Sequence, residues 1–593
     1  MRKRPARNVH RHDRLAVLFA AVYAAVWFGL LVPGYWYADD FLNFGLARRN
    51  GLSTHYLGIT VFGHPEPGAR LVNWVLLQVA PMDYWLVALM AAASIGVVCL
   101  AVYWVLRLLY GPSAFLLLLM NMIGASAIWF PGIAWWSAGV QLMGAPIAFA
   151  LGTHALVRCY LGDRKVWWGI AAGLWLLAGL LFYERALLLA AVGAAFLPLA
   201  VCDDLRPRSV ARVLRRALPA YVALAVVGCG YVVWYVHGDF VRRDGRYGTG
   251  KLVEYIARNW QESFVPGLLG GPFRWRYIPT YAQATTPPLW TVVAAVVMIA
   301  VAIAGWRRLG RRSLRGWFLL VGTVVVGDVT IASARLAAHG VWIAHEYRYL
   351  ADLVPVAALS LALVLLTPLV GERTSPQPPL PLPGRRIVPA FVVPWIVFLV
   401  SVVPASVHWA DNPTHGYVNN LRASLAAYDQ RGAPWSLYDT VLPAELMPLA
   451  YEPFNRMSQF IPVALRRDVT VDQPDADLLV VDESGHAVAA RFEIEAARAS
   501  SCGAVTFVDL PRPLPKQAWF VRLNYRAPKP AVLSVAVDAG RGLVSNGTTT
   551  YPVSGSGQLV IPLRVYALTR VRIKSTNSST CLTSVEVGAP HPA

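Results

Sequence analysis

The chain has 593 residues, of which 56% are hydrophobic and only 15% charged, and its mean hydropathy is +0.47. Such a composition excludes an ordinary soluble protein of this length, because the apolar residues form long blocks and not amphipathic stripes. The formal charge of +20 would suggest nucleic acid in a soluble domain. Here the arginines gather in short connections between apolar blocks, so membrane topology explains them and no nucleic-acid partner is expected.

In chain order, a basic tail (1–14) with Arg2, Lys3, Arg4, Arg7, Arg11 and Arg14 precedes an apolar run from Leu15 to Val32. The run is about 18 residues long, spanning length rather than the length of a signal-peptide core, and no small-residue cleavage site precedes Trp36. It reads as a retained first span with a cytoplasmic N-terminus. Further blocks lie near 83–108, 112–130, 138–158, 166–183, 186–202, 217–237, 289–305, 316–334, 349–370 and 387–408, giving about eleven spans. The expected fold is a polytopic α-helical membrane protein. Its spanning domain covers 15–408 and has outer loops at 35–82 and 238–288. Segment Leu71–Ala80 is too short to cross and reads as an interfacial amphipathic helix.

With the N-terminus inside, the connections carrying Arg164-Lys165, Arg206–Arg216, Arg307–Arg315 and Arg373, Arg385 and Arg386 all fall on the cytoplasmic side, as does the Pro-rich stretch Thr374–Pro383. An odd number of spans places the remainder outside. Residues 409–500 mix helical and extended patterns. Residues 501–593 show short alternating runs broken by Gly, Pro, Ser and Asn, the pattern of a β-sandwich. Cys502 and Cys581, near its two ends, suit a disulfide in an oxidising compartment. The other four cysteines lie in or beside apolar blocks.

The residues able to do chemistry collect on the outer side. Asp39 and Asp40 follow the first span in Tyr35-Trp36-Tyr37-Ala38-Asp39-Asp40-Phe41. A carboxylate at the membrane boundary, facing a water-filled cavity, can take a proton from an acceptor hydroxyl while its neighbour orients it or binds a metal. The bland reading is a solvated turn or an N-cap for the helix that follows. The same loop carries Gly63-His64-Pro65-Glu66-Pro67-Gly68-Ala69-Arg70. Glu184-Arg185 sit at one outer junction and His345-Glu346-Tyr347-Arg348-Tyr349 at another. Each cluster alone could be an ion pair between helix ends, but four on one side point to a shared cavity. The outer loop 238–288 is itself basic, with Arg242, Arg243, Arg246, Lys251, Arg258, Arg274 and Arg276, which suggests an anionic partner. Asp328 lies within a span and reads as a buried polar contact or a proton-pathway residue.

These features resemble the GT-C superfamily of polyprenyl-phosphate-sugar-dependent membrane glycosyltransferases. The resemblance rests on the acidic pair in the first outer loop, on Gly68-Ala69-Arg70-Leu71 before an interfacial helix, on Tyr183-Glu184-Arg185-Ala186-Leu187, and on a β-rich C-terminal domain. It covers roughly residues 1–408, and its motifs are short. Tyr183 stands where the family pattern has Lys. The resemblance implies a catalytic Asp39 or Asp40, acting as base or as a metal-associated acid compatible with Mg²⁺ or Mn²⁺, and direct inverting transfer from a polyprenyl-phosphate-linked sugar to a glycan, lipid or protein acceptor of the cell envelope. Arg348, then Arg70, would meet the phosphate, with Arg274 contributing, and His64, Glu184, Arg185, His345 and Glu346 would complete the substrate site. The C-terminal domain resembles the carbohydrate-binding modules of actinobacterial arabinosyltransferases. The competing readings are a lipid or glycan transporter or flippase, and an envelope acyl- or phospho-transferase using His64 or His345 as base.

Overall fold

The structure is a computed structural model. It describes residues 6–592 apart from 62, 163, 239, 241–246, 279–280, 371–383, 474–476, 504, 515–518, 540–548 and 564–567. Arg242, Arg243, Arg246, Arg373 and the Pro-rich stretch therefore lie outside the described residues. The chain divides into two compact units, Met1–Asn412 and Pro413–Ala593.

The first unit is helical. Among the described residues, six helical stretches are long and apolar enough to cross a membrane. They contain α1 (Ala6–Leu31), α4 (Tyr84–Tyr110), α6 (Trp136–Leu161), α10 (Leu218–His237), the pair α11 (Pro288–Leu309) and α12 (Leu314–His339), and α14 (Gly384–Ala410). Shorter apolar helices are α5 (Ala114–Gly124), α7 (Lys165–Leu180), α8 (Ala186–Val201) and α13 (Val354–Leu365). Every apolar block read from the sequence is thus helical, as a backbone without water must be to satisfy its own amides. Polar connectors are helical too: α2 (Asp39–Asn50), α3 (Pro67–Val79) and α9 (Pro207–Arg216). On α3 the exposed apolar residues are Leu71, Val75 and Val79, four apart on one face, while Arg70, Asn73 and Leu76 are buried.

The first and last helices of this unit pack together. Tyr23 stacks on Trp395, and Ser406 donates to the Leu30 carbonyl at 2.6 Å. At one end of the bundle, Asn412 reaches the carbonyls of Tyr35 and Trp36, Trp36 Nε1 donates to Met82, and Trp409 Nε1 donates to Tyr84 Oη. At the other end, Arg107 pairs with Asp13 at 2.7 Å, and Arg312 and Arg315 donate to the carbonyls of Ala200 and Cys202 that close α8. Arg315 also reaches Leu199 and Asp203. Arginine here supplies the donors that the last helical carbonyls need.

In the second unit, eight strands form one sheet: β5 (Trp435–Leu437), β6 (Asp477–Val481), β7 (Ala487–Cys502), β8 (Val505–Leu514), β9 (Trp519–Ala539), β10 (Thr549–Leu563), β11 (Leu568–Ser575) and β12 (Cys581–Pro592). The order is β5-β6-β7-β12-β9-β11-β8, with β10 along the free side of the long β9. Alternate residues of β9, among them Val521, Leu523, Leu533, Val535 and Val537, enter one core with Ile561, Val571 and Val585, as period-2 patterning requires. The expected division at residue 500 falls inside β7, and β5 and β6 share the sheet, so 413–593 is a single unit. Cys502 and Cys581 face each other across β7 and β12 and are disulfide-bonded, with Cα atoms 4.0 Å apart.

Candidate active site

A cavity of about 510 Å³ opens at the end of the bundle opposite Arg312 and Arg315. Its wall draws on the start of α2, the hairpin of β1 (Thr60–Val61) and β2 (His64–Pro65), the start of α6, the α7–α8 junction and the C-terminal halves of α10 and α12.

Asp39 and Asp40 open α2. Successive helical residues point about 100° apart, and the turn before them is set by Ala38 at φ 44°, a conformation that costs an alanine about 1–3 kcal/mol. Asp39 lines the cavity. Asp40 is turned inward and fully buried. Its carboxylate accepts from Tyr37 N at 2.9 Å, and from Ser137 N and Oγ at 2.8 and 2.7 Å. It thereby satisfies an amide of the first turn of α6, ninety-seven residues away. Burial pushes its pKa up to about 7 against the three hydrogen bonds that favour the anion. The capping role read for the pair belongs to Asp40, and it serves a helix other than its own. Because the two side chains diverge, they do not form one chelate. Among the described residues no three His, Cys, Asp or Glu side chains group as metal ligands, and Asp39 is the carboxylate of the pair that faces the cavity.

His64 and Glu66 are brought over the cavity by a close contact behind them. The Gly68 amide donates to Leu181 O at 2.8 Å, and a Cβ at Gly68 would stand 2.9 Å from that oxygen. Only glycine lets α3 start this close to the end of α7. The contact aligns His64 with Glu184, Nδ1 to Oε1 at 2.8 Å. Burial opposes charge on both groups, but their mutual hydrogen bond outweighs it, raising the His64 pKa and lowering that of Glu184. Glu66 accepts from Gln141 Nε2 at 2.5 Å, and burial pushes it up to about 8.

Arg348 lies in the wall over the rings of Trp135 and Tyr349, 4.9 Å from each centroid, with Glu346 at 3.2 Å. Arg335, on the last turns of α12, also lines the cavity. Tyr231 and Tyr235, four apart on α10, complete the wall. The rest of α10 is apolar and exposed, with Val226, Val233, Trp234 and Val236 on its outside, so one side of the cavity is a lipid-facing helix.

The structure separates the sequence-derived residues into three groups. Asp39, His64, Glu184, Arg185 and Arg348 line the cavity. Arg185 is spent largely on structure, pairing with Asp352 at 3.2 Å and donating to Tyr349 O at 2.6 Å. Gly327 leaves room for its guanidinium. Asp40, Arg70, His345 and Glu346 lie behind the wall. Arg70 staples its own loop through Ile59 O at 2.6 Å and lies over Tyr56. His345 pairs with Glu262 at 2.8 Å, and Glu346 holds Arg348. Arg274 is exposed at the start of β3 (Trp275–Ile278), which pairs with β4 (Tyr281–Ala284). Asp328 is buried against Asn259 Nδ2 at 2.5 Å. Glu66, from the His64 cluster read in the sequence, also lines the cavity, and Gln141, Arg335, Tyr231 and Tyr235 are lining groups that the sequence reading does not select. The detectable signal was an arginine near the end of an apolar helix, and two tyrosines at i, i+4.

No family model matches the chain, and no curated protein does. Among solved structures, ArnT from Cupriavidus metallidurans, bound to undecaprenyl phosphate, is similar at 15% identity and a TM-score of 0.43, over 79% of this chain and 86% of that one. The Archaeoglobus fulgidus oligosaccharyltransferase, in complex with Zn and sulfate, is similar at 9% identity and a TM-score of 0.38, over 95% of this chain and 97% of that one.

Proposed function

We propose that the helical unit is an integral membrane glycosyltransferase that moves a sugar from a polyprenyl-phosphate donor to a cell-envelope acceptor. The carrying observation is that Asp39 faces a cavity that also holds Arg335 and Arg348 and is walled on one side by the lipid-exposed α10. A donor with a polyprenyl tail fits that wall, since the tail stays in the bilayer while its head enters the cavity. The arginine-rich end of the bundle is cytoplasmic by charge bias. The cavity then opens on the outer face, with the N-terminus inside and the C-terminal unit extracytoplasmic.

Asp39 takes the proton of the acceptor hydroxyl as its oxygen attacks the anomeric carbon. The bond from that carbon to the phosphate oxygen breaks on the opposite side, and configuration inverts. Negative charge grows on the phosphate, where Arg348 and Arg335 stabilise it. Arg348 is preorganised for this by its two aromatic neighbours and Glu346.

The test is transfer from a panel of labelled polyprenyl-phosphate sugars by the full-length protein in nanodiscs. Asp39→Asn is expected to lower turnover by about 10²–10⁴-fold with unchanged thermal unfolding. Full activity in Asp39→Asn would refute Asp39 as the base, and transfer by neither protein would refute the donor class.

A further inference from the structure

We propose that His64, held by Glu184, is the acid that protonates the departing phosphate; this rests on the transfer reaction proposed above. In the glycosyltransferase reading of the sequence His64 and Glu184 are substrate contacts, and the geometry assigns them a joint task. Nδ1 of His64 lies 2.8 Å from Glu184 Oε1, so it carries the proton of that hydrogen bond. Nε2 is then the nitrogen left for a ligand, on a half-buried ring in the cavity wall. A carboxylate that fixes one imidazole nitrogen and orients the other is an arrangement for proton transfer.

Position supports the same task. The Gly68–Leu181 contact fixes the His64 strand against the Glu184 junction, so the dyad belongs to the frame and does not depend on a mobile side chain. The charged groups that face His64 are Glu184 from the α7–α8 junction, Glu66 from its own loop and Arg335 from α12. Arg335 places a phosphate-binding guanidinium beside the imidazole. Burial and Arg335 disfavour the imidazolium, but Glu184 and Glu66 outweigh them, and the ring's pKa lies above its ordinary value.

With such a group the proton balance closes within the site. The acceptor loses a proton to Asp39, and its oxygen forms the new bond to the anomeric carbon. The electron pair of the broken bond stays on the phosphate oxygen, which takes the Nε2 proton of His64. Neutral His64 then regains a proton and Asp39 loses one, through water. The net change is one proton moved from acceptor hydroxyl to polyprenyl phosphate, with no outside reactant.

The experiment compares wild type, His64→Gln, Glu184→Gln and Glu66→Gln as full-length protein in nanodiscs, on two donors. One is the natural polyprenyl-phosphate sugar. The other is its difluoromethylphosphonate analogue, in which CF2 replaces the lipid-side bridging oxygen and the anomeric C–O bond is kept, so that the more acidic leaving group has less need of a proton. His64→Gln is expected to slow the natural donor by about 10²-fold and the analogue by less than about ten-fold. The alkaline limb of kcat/KM should vanish in His64→Gln, move to lower pH in Glu184→Gln and persist in Glu66→Gln. Equal losses on both donors, or an alkaline limb that survives in His64→Gln, would overturn the proposal while leaving Asp39 and the donor class standing. A wild type inactive on every polyprenyl-phosphate donor would overturn both.

Discussion

The two ends of the helical bundle use ionisable side chains in opposite ways. At the arginine-rich end, Arg312 and Arg315 spend their donors on the carbonyls that close α8, and Arg107 is tied to Asp13. At the cavity end, Asp39, His64, Glu66, Glu184, Arg335 and Arg348 line open space, while partners such as Glu346 and Gly68 stand behind them. Charge density does not distinguish a working end from a structural one. The distinction is whether the groups are consumed by backbone or left facing a cavity.

That contrast can be broken by mutation. The largest effect is expected from Asp39→Asn, followed by Arg348→Gln and then His64→Gln. Arg348→Gln should cost about 10²–10³-fold in turnover with little change in unfolding temperature. Its mirror at the other end is Arg315→Gln, which removes the guanidinium donors from the carbonyls of Leu199, Cys202 and Asp203 and leaves Cys202 only Arg312. It should cost about 1–3 kcal/mol of stability and leave turnover per folded molecule unchanged. If Arg315→Gln abolished turnover in folded protein, or Arg348→Gln merely destabilised it, the contrast between the ends would fail.

Asp40 sharpens the comparison from within the cavity end. Asp40→Asn replaces an accepting oxygen with an amide that faces the Tyr37 or Ser137 amide. The expected loss is about 1–3 kcal/mol in denaturant unfolding, with activity per folded molecule retained within a few fold. The smallest effect is on a pH slope. The Glu66 pKa is raised from 4.5 to about 8, so the native state holds its proton over a window in which the unfolded chain has released it. Stability contributed by Glu66 is complete below about pH 4.5 and is lost as pH rises towards 8. Glu66→Gln should flatten that decline in thermal scans taken between pH 5 and 8; an unchanged slope would place its source elsewhere.

Much of this arrangement could be read from residue order. Apolar runs such as Tyr84–Tyr110 and Leu218–His237 have one solution in a bilayer, and the arginine clusters mark which ends share a side. The cavity could be anticipated as a meeting of Asp39, His64, Glu184 and Arg348, because alternating spans bring those junctions to one end. What was not legible depends on contacts far apart in sequence. Nothing local to Asp39-Asp40 shows that Ser137 will claim the second carboxylate. Nor does Gly-Ala-Arg-Leu show that Arg70 turns back to Ile59 instead of towards a phosphate. An arginine at the end of an apolar helix, as Arg335 is, fits a role as an interfacial anchor as well as one in a site. Only the packing of α12 against the α7–α8 junction distinguishes the two. The strand pattern from 504 onward was clear, but its sheet recruits β5, β6 and β7 from a segment whose period is too mixed to read.

The seam between α1 and α14 has a consequence for biosynthesis. Tyr23 and Leu30 find their partners Trp395 and Ser406 only after the long stretch of chain between them has been synthesised, and His64 likewise waits for Glu184. Helix α1 finds early partners in α4 and α5, through Arg107 with Asp13 and Trp27 with the Gly124 carbonyl, but its flank towards α14 must stay uncovered in the bilayer until that helix arrives. A ribosome-stalled chain ending before residue 384 should therefore keep that flank of α1 open to crosslinking from lipid or translocon, and completion of α14 should close it.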